Sequence, residues 1–156
     1  MRKLLIHIVD DEINVARTLQ MVLEREDYVV TCASSARAAY AQYRDGFRPD
    51  AAIIDLNMER EDIGLEVAAA AQRLKPCPII IICTGYANVD NIQTALDLRV
   101  DYLATKPVDL EELKGALRRL LVRRSSALRL EKTKTAKVAG KKTKTKARSK
   151  RAGARG

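Results

Sequence analysis

Short apolar runs alternate with longer amphipathic segments along the first 124 residues of the chain. The run Ile79–Cys83 has no polar residue, which is typical of a strand in a parallel sheet covered by helices on both faces. Because each run precedes a segment with helical periodicity, the pattern predicts successive βα units. The expected strands are Leu4–Val9, Tyr28–Ala33, Ala51–Leu56, Ile79–Cys83 and Tyr102–Thr105.

The segments between these runs predict five helices. The first has Ile13, Leu19, Val22 and Leu23 on one face, the second follows the capping pair Ser34-Ser35, and the others span roughly Leu65–Leu74, Asn88–Leu98 and Asp109–Arg124. Asp109 is the expected N-cap of the fifth helix, with Glu112 completing a capping box. Five such units predict an α/β fold with a doubly wound, five-stranded parallel sheet.

Charge divides the chain into two parts. Residues 1–122 hold 15 basic and 19 acidic residues, a net charge of −4, whereas residues 123–156 hold 14 basic residues and only one acid, a net charge of +13. The basic part contains no aromatic residue and no amphipathic period, so it cannot bury enough apolar surface to offset its ordering entropy. We therefore expect one folded domain over 1–124 and a disordered, low-complexity tail over 125–156.

The remaining composition excludes several classes of protein. No apolar run approaches the roughly 20 residues that a bilayer span requires, and acids follow the N-terminal apolar run where a signal peptide needs small residues. Cys32, Cys77 and Cys83 form no zinc-binding motif, and His7 has no second histidine with which to share a metal. We expect a cytoplasmic protein without membrane insertion, with free thiols and a packed histidine in its first strand.

Polar residues stand at the carboxyl ends of four predicted strands, where ligands collect in open α/β sheets. Asp10 and Asp11 follow the first strand, Asp55 the third, Thr84 the fourth and Lys106 the fifth. Three neighbouring carboxylates raise one another's pKa unless positive charge shares their pocket. Lys106 and Mg²⁺, which prefers oxygen ligands, supply that charge, and the pocket suits phosphoryl transfer to a carboxylate.

These residues lie within motifs that resemble the receiver domain of bacterial two-component response regulators, the family of the chemotaxis response regulator. The matching stretches are Ile8-Val9-Asp10-Asp11-Glu12, Ile53-Ile54-Asp55-Leu56-Asn57-Met58, Ile82-Cys83-Thr84-Gly85 and Thr105-Lys106-Pro107. The resemblance covers residues 3–124 and implies the flavodoxin-like (βα)5 fold. It also implies that the domain catalyses only its own phosphorylation and dephosphorylation and is not otherwise an enzyme.

The resemblance assigns roles to the residues of the pocket. Asp55 would accept a phosphoryl group from a sensor histidine kinase or a phosphotransfer protein. Asp11 and Asp55 would bind Mg²⁺ directly, with the backbone carbonyl of Asn57, while Asp10 would act mostly through bound water.

Further residues would bind the phosphoryl group or control its lifetime. Thr84 would swing to donate a hydrogen bond to the phosphoryl group, and Lys106 would pair with it through a segment whose peptide bond to Pro107 is cis. Asn57 and Tyr86 would modulate the phosphoryl lifetime.

The sequence departs from the family pattern in three places. Glu59 replaces a proline, and Gly64 lies one residue further on, so the loop after the third strand is longer by one. Arg99 stands where a glycine ends the fourth helix, so that turn is expected to differ. The aromatic switch position is Leu103; Tyr102 stands one residue early and should point to the opposite face of its strand.

Three hypotheses for the output of the protein remain. In the first, a single-domain protein signals through contacts with an unknown downstream protein. In the second, the tail binds DNA or RNA without sequence specificity by neutralising phosphates. In the third, a receiver-shaped protein has lost phosphorylation and acts only as a binding module.

Overall fold

Five parallel strands form one sheet in the computed structural model, which describes residues 2–85 and 89–152. The strands are β1 (Leu5–Val9), β2 (Val29–Ala33), β3 (Ala51–Asp55), β4 (Ile79–Thr84) and β5 (Tyr102–Thr105), in the order β2-β1-β3-β4-β5. The helices are α1 (Ile13–Glu24), α2 (Ala36–Arg44), α3 (Ile63–Gln72), α4 (Val89–Asp97) and α5 (Leu110–Ala152). The predicted α/β class and five-stranded parallel sheet are confirmed.

The sheet is covered on both faces, as its apolar strands require. Ile53 and Ile81 pack in one apolar cluster with side chains of α1 and α5, whereas Ile54 and Ile82 pack in another with side chains of α2, α3 and α4. This alternation follows from the two-residue period of a strand. Since β1 is flanked by β2 and β3, the connections leave it in opposite directions, and a crevice opens at the carboxyl ends of β1 and β3.

His7 is the polar exception within β1 and is fully buried. Its Nδ1 lies 2.9 Å from the hydroxyl of Tyr43 and its Nε2 lies 2.7 Å from Oε1 of Gln42. The amide nitrogen of Gln42 donates to the carbonyl of Cys32, so the Gln42 oxygen faces the ring. Both ring nitrogens are therefore satisfied inside the core, as a packed histidine requires.

The caps of two helices follow the sequence signals, with one difference. Ser35 accepts a hydrogen bond from the backbone N–H of Ala38 at 3.0 Å, and Asp109 accepts from those of Glu111 and Glu112 at 2.9 and 3.0 Å. The expected capping box is only half made, because the carboxylate of Glu112 accepts a hydrogen bond from the hydroxyl of Tyr102.

Arg99 adopts the left-handed conformation of the glycine it replaces. Its φ angle is 54°, and the N–H groups of Arg99 and Val100 donate to the carbonyls of Leu96 and Ala95. The prediction of a different turn is thus wrong, since backbone hydrogen bonds after α4 impose the usual geometry. A residue with a Cβ atom in this conformation costs about 1–2 kcal/mol.

The fifth helix continues well beyond the end near Arg124 that the sequence predicted. It reaches Ala152, because its second half is rich in lysine, alanine and arginine, which favour helix. The chain divides into a compact unit that ends at Leu121 and a second unit that begins at Val122. Residues 125–137 are all exposed, so this part of α5 lacks the buried face that stabilises most helices in proteins. That exposure agrees with a tail that belongs to no folded core.

Candidate functional site

Three strands bring polar residues together at the carboxyl edge of the sheet. Asp10 follows β1, Asp55 is the last residue of β3, and Lys106 follows β5. Mostly apolar residues precede Asp10 in β1 and Asp55 in β3, so burial of these two strands carries both carboxylates into the crevice. One carboxylate oxygen from each of Asp10, Asp11 and Asp55 lies within 4.8 Å of the others, and two of these residues are buried.

Lys106 is the cation that faces these carboxylates. Its Nζ lies 3.2 Å from Oδ2 of Asp55 and 3.6 Å from Oδ2 of Asp10, with the carboxylate of Glu12 at 3.8 Å. Only 5% of the Asp55 side chain and 22% of the Lys106 side chain are exposed. Because both side chains are largely withdrawn from water, their mutual attraction is screened less than that of a surface ion pair.

The ionisation of the pocket reflects burial opposed by charge pairing. Burial raises the pKa of Asp55, Lys106 lowers it, and the nearby charge of Asp10 raises it again, so that the pKa stays above its usual value. Burial also raises the pKa of Asp10, against the N–H of Glu12 and the charge of Lys106. For Lys106, burial acts to lower the pKa, but the carboxylates of Asp55 and Asp10 outweigh it and the pKa is raised.

The donor set fits a hard divalent cation. Three carboxylates share the pocket with one lysine, so excess negative charge remains where two of the acids are buried. Mg²⁺ prefers oxygen ligands and is commonly held by one or two carboxylates while it keeps several waters. Asp10, Asp11 and Asp55 are thus suited to hold it, whereas a thiolate-binding metal finds no ligand pair here.

The loop between β3 and α3 packs against Asp55, the candidate phosphoacceptor. The backbone N–H of Asn57 donates to the carboxylate of Asp55, and the side chain of Asn57 accepts from the N–H of Asp62 at 2.9 Å. Gly64 packs so tightly on this loop that a Cβ atom there would lie 2.1 Å from the carbonyl oxygen of Asp55. Glycine is therefore required by close packing rather than by its backbone angles.

Thr84 lies at the end of β4, and its side chain lines an apolar hollow distinct from the acidic pocket. Leu103 lines the same hollow, together with Leu56, Leu65, Ile82, Ile92 and Ala95. Tyr102 packs on the opposite face of β5 and donates to Glu112 of α5. The expected alternation of Tyr102 and Leu103 is thus observed, and Leu103 occupies the position beside Thr84.

The sequence also predicted roles for Pro107, Tyr86 and the cysteines. The peptide bond between Lys106 and Pro107 is cis. Tyr86, the expected modulator of phosphoryl lifetime, lies outside the described residues, as does Asn88 at the expected start of α4. The three cysteines are free thiols, and burial raises the pKa of Cys83 to about 12, so that its thiol stays protonated.

Two features of the site were missed by sequence reasoning. Glu12 contributes a carboxylate next to Lys106, which the acidic run Asp10-Asp11-Glu12 could have indicated. A cavity of about 470 Å³ lies beside Asp55 and Lys106 and is lined largely by apolar side chains of β1, α1 and the segment after β5. No sequence signal identifies such a space, because it depends on how α1 and that segment are placed.

The fold and this pocket together define a receiver domain. The sequence matches the response regulator receiver domain family over residues 6–118, and the chain belongs to that family. The domain is thus a receiver domain of two-component regulatory systems.

Individual relatives and solved structures agree with this assignment. The chain is 38% identical over 126 residues to the alginate biosynthesis transcriptional regulatory protein AlgB of Pseudomonas aeruginosa, with 80% of the chain and 27% of that protein covered. It is 29% identical to the transcriptional regulatory protein KdpE of Mycobacterium tuberculosis, with 81% and 55% covered. A CheY-like receiver domain protein of Methanospirillum hungatei matches with a TM-score of 0.75 and 27% identity, covering 81% of this chain and 99% of that one.

These matches cover only part of each curated relative. The chain spans between a quarter and about half of the length of the curated relatives it matches. Among the helices in residues 2–85 and 89–152, none combines the length and the apolar character that a bilayer crossing needs.

Proposed function

We propose that this protein is a response regulator that accepts a phosphoryl group on Asp55 from a sensor histidine kinase or a phosphotransfer protein. One observation carries the proposal: the buried carboxylate of Asp55 lies 3.2 Å from the ammonium of Lys106, within a cluster of three acids at the carboxyl edge of the sheet. A purely structural ion pair would not require two further carboxylates, which repel one another.

The proposed step is a displacement at phosphorus. An oxygen of the Asp55 carboxylate attacks the phosphorus of a phosphohistidine; a P–O bond forms, the P–N bond breaks, and the electron pair returns to the imidazole of the donor. The product is an acyl phosphate on Asp55. Hydrolysis later transfers the phosphoryl group to water and restores the carboxylate, so the chain ends unchanged.

Charge neutralisation is the main requirement of this step. Bound Mg²⁺, held by Asp10, Asp11, Asp55 and the backbone carbonyl of Asn57, would offset the negative charge of the entering phosphoryl group. Lys106, which lies next to Asp10 and Asp55, supplies a second positive charge and orients the carboxylate of Asp55. The cavity beside Asp55 leaves room for the donor's imidazole.

Thr84 would transmit the conformational change that follows phosphorylation of Asp55. The side chain of Thr84 lies in the hollow lined by Leu103 and by Ile92 and Ala95 of α4. Movement of the hydroxyl towards a phosphoryl group on Asp55 would leave space in that hollow, and the neighbouring side chains would repack. We propose that a downstream protein senses this repacking.

Incubation of the full chain with Mg²⁺ and acetyl phosphate, followed by intact-mass measurement, tests the proposal. The wild type should gain one phosphoryl group, and the gain should disappear in Asp55→Asn and when a chelator removes Mg²⁺. Asp45→Asn, a matched change at an exposed aspartate, should leave it intact. A wild type that gains no mass would favour the reading of the chain as a binding module without phosphorylation, and an Asp55→Asn variant that still gains mass would show that another residue accepts the phosphoryl group.

A further inference from the structure

The second half of α5 is a continuous, strongly basic helix. Residues 123–152, called here the basic arm, hold 13 lysines and arginines and a single acid, Glu131. Residues 125–137 are all exposed, and at 100° per residue the four cations in this stretch, Arg129, Lys132, Lys134 and Lys137, spread over an arc of about 200° of the helix surface. Such a surface has no apolar stripe for a protein core or a lipid bilayer.

Three hydroxyl groups within residues 125–137 of the arm are turned back onto its own backbone. Thr133 donates to the carbonyl of Arg129 at 2.8 Å, Thr135 to that of Glu131 at 2.9 Å, and Ser126 to that of Val122 at 3.1 Å. Lysine and arginine therefore dominate the polar groups that point outwards from residues 125–137.

The spacing of these charges matches a nucleic-acid backbone. Thirty residues of helix span about 45 Å at 1.5 Å per residue, so the arm carries one positive charge about every 3.5 Å. The phosphates of one DNA strand repeat about every 3.4 Å along the duplex axis. A helix about 10–12 Å in diameter also fits the major groove of B-DNA, which is about 12 Å wide and has phosphates on both sides.

We propose that the basic arm binds the phosphate backbone of double-stranded DNA without sequence specificity. The arm has no aromatic residue on which single-stranded bases can stack, and the deep, narrow major groove of duplex RNA does not admit a helix. It also has no asparagine or glutamine to read adenine in the major groove. The proposed contacts are those of lysine and arginine with phosphates, which carry no sequence information.

Salt-dependent binding of the full-length protein to a 30-base-pair duplex of arbitrary sequence, followed by fluorescence anisotropy, tests this proposal. The affinity should fall about 1000-fold or more between 50 and 200 mM salt if six or more phosphates are contacted. The triple variant Lys132→Gln, Lys134→Gln, Lys137→Gln should reduce the slope of log affinity against log salt by about 2–3, close to one unit per lysine. The same three lysines changed to arginine should keep the wild-type slope.

A triple variant of the folded domain provides the control. Arg17→Gln, Arg37→Gln, Arg73→Gln removes the same charge from exposed positions outside the arm and should leave the slope unchanged. An equal decrease in both glutamine variants, or no binding of the wild type at 50 mM salt, would overturn the proposal. Tighter binding to single-stranded DNA, duplex RNA or phosphatidylserine vesicles would overturn it as well.

A second, independent observation concerns the loop after β3, whose ends are tied together. The N–H of Gly64 donates to the carbonyl of Leu56 at 2.9 Å, and the side chain of Asn57 accepts from the N–H of Asp62. The middle of this loop is attached to a different element. Oε1 of Glu59 accepts a hydrogen bond of 2.7 Å from the backbone N–H of Ala36, the first residue of α2.

This contact suits a carboxylate. The first N–H groups of a helix have no partner within the helix, and the positive end of the helix dipole favours an anion there. Ser35 satisfies the N–H of Ala38, and Glu59 satisfies that of Ala36. The glutamate that replaces the family's proline thus anchors the longer loop to α2.

We infer that Glu59 is a positioning residue for Mg²⁺ binding. The inference rests on the proposed function, because it assumes that the backbone carbonyl of Asn57 is a ligand. Asn57 is exposed, so the place of its carbonyl depends on the contacts that hold the loop, and the anchor at Glu59 lies two residues away. Residues that orient metal ligands typically contribute about 10–100-fold to metal affinity.

Calorimetric titration of the full chain with Mg²⁺ measures this contribution. Glu59→Ala should weaken Mg²⁺ binding about tenfold, whereas Glu59→Gln, which keeps the accepting oxygen, should stay within about threefold of the wild type. Glu61→Ala removes the same charge from an exposed position of the same loop and should change little. Since Glu59→Gln also removes the charge, equal losses in Glu59→Ala and Glu59→Gln would show a purely electrostatic effect and overturn the inference.

Phosphorylation kinetics separate this inference from the proposed function. With acetyl phosphate as donor, Glu59→Ala should require more Mg²⁺ for half-maximal rate but reach the wild-type rate at saturation. Unchanged Mg²⁺ affinity in Glu59→Ala would overturn the inference while phosphorylation of Asp55 stood. A wild type that binds Mg²⁺ but is never phosphorylated would overturn the proposed function alone.

Discussion

The buried histidine of β1 should make the stability of the domain depend on pH between about 4 and 6.5. Burial is the main cause that lowers the pKa of His7 to about 4, against a smaller raising effect of its hydrogen bond to Gln42. In the unfolded chain its pKa is about 6.5. The Gln42 oxygen faces Nε2, so this nitrogen carries the proton and Nδ1 is left to accept from Tyr43, whose own pKa is raised by burial.

The sign follows from which state binds the proton. Below pH 6.5 the unfolded state binds a proton at His7, whereas the folded state does not bind it until the pH approaches 4. The stability that neutral His7 contributes is therefore fully present above pH 6.5 and is lost as the pH falls towards 4. Between pH 7.5 and 4.5 the difference in pKa corresponds to a loss of about 2.5 kcal/mol. This is a large share of the roughly 5–15 kcal/mol that stabilise a typical domain.

Urea unfolding followed by circular dichroism at pH 7.5 and 4.5 provides the assay, with His7→Gln as the matched variant. The pKa values of Asp10 and Asp55 are also raised by burial, but both carboxylates are present in both proteins. The free energy of unfolding of the wild type should therefore change, between the two pH values, by about 2.5 kcal/mol more in the destabilising direction than that of His7→Gln. Equal changes in the two proteins would refute a neutral, buried His7.

Three further substitutions test the packing around the site. Gly64→Ala places a Cβ atom 2.1 Å from the carbonyl oxygen of Asp55 and should lower the free energy of unfolding by about 2–3 kcal/mol; wild-type stability in urea would disprove the close approach. Arg99→Gly removes the Cβ atom from a residue with a φ of 54° and should raise the free energy of unfolding by about 1 kcal/mol, measured as a higher melting temperature. A lower melting temperature would contradict the strain at Arg99. Tyr102→Phe removes an exposed hydrogen bond to Glu112 and should cost under about 1 kcal/mol without changing the rate of Asp55 phosphorylation; a slower rate would give Tyr102 a role in the pocket.

The sheet and its covering helices could be predicted from the sequence because burial leaves a strong periodic signal. β3 and β4 are buried at every position, and their apolar runs have no other stable place in a soluble domain. Strand and helix ends were less predictable: β4 includes Thr84, and α3 starts at Ile63 rather than near Leu65. Such ends depend on backbone hydrogen bonds with neighbouring elements, which periodicity does not encode.

The pocket could be located because parallel strands bring their carboxyl ends to one edge, which places Asp10, Asp55 and Lys106 together. Contacts made across loops could not be foreseen. Glu59 reaches α2 from the seven-residue loop, 56–62, between β3 and α3, and Arg99 takes a conformation that its side chain disfavours. Both depend on tertiary geometry that overrides local preference.

Leucine at position 103 constrains how a signal can leave the pocket. Leu103 and Thr84 share a hollow with Ile92 and Ala95 that has no room for a water molecule. A tyrosine can turn between a buried and a wet position because its hydroxyl finds partners in both. Exposing a fully buried leucine side chain costs about 1.5–3 kcal/mol, and the partly buried Leu103 would lose a share of that. If Thr84 moves towards Asp55, we therefore expect the hollow to close by a shift of α4 rather than by an outward swing of Leu103. Methyl NMR of the phosphorylated chain should show large shifts for Ile92 while Leu103 stays partly buried; a fully solvent-exposed Leu103 would contradict this route.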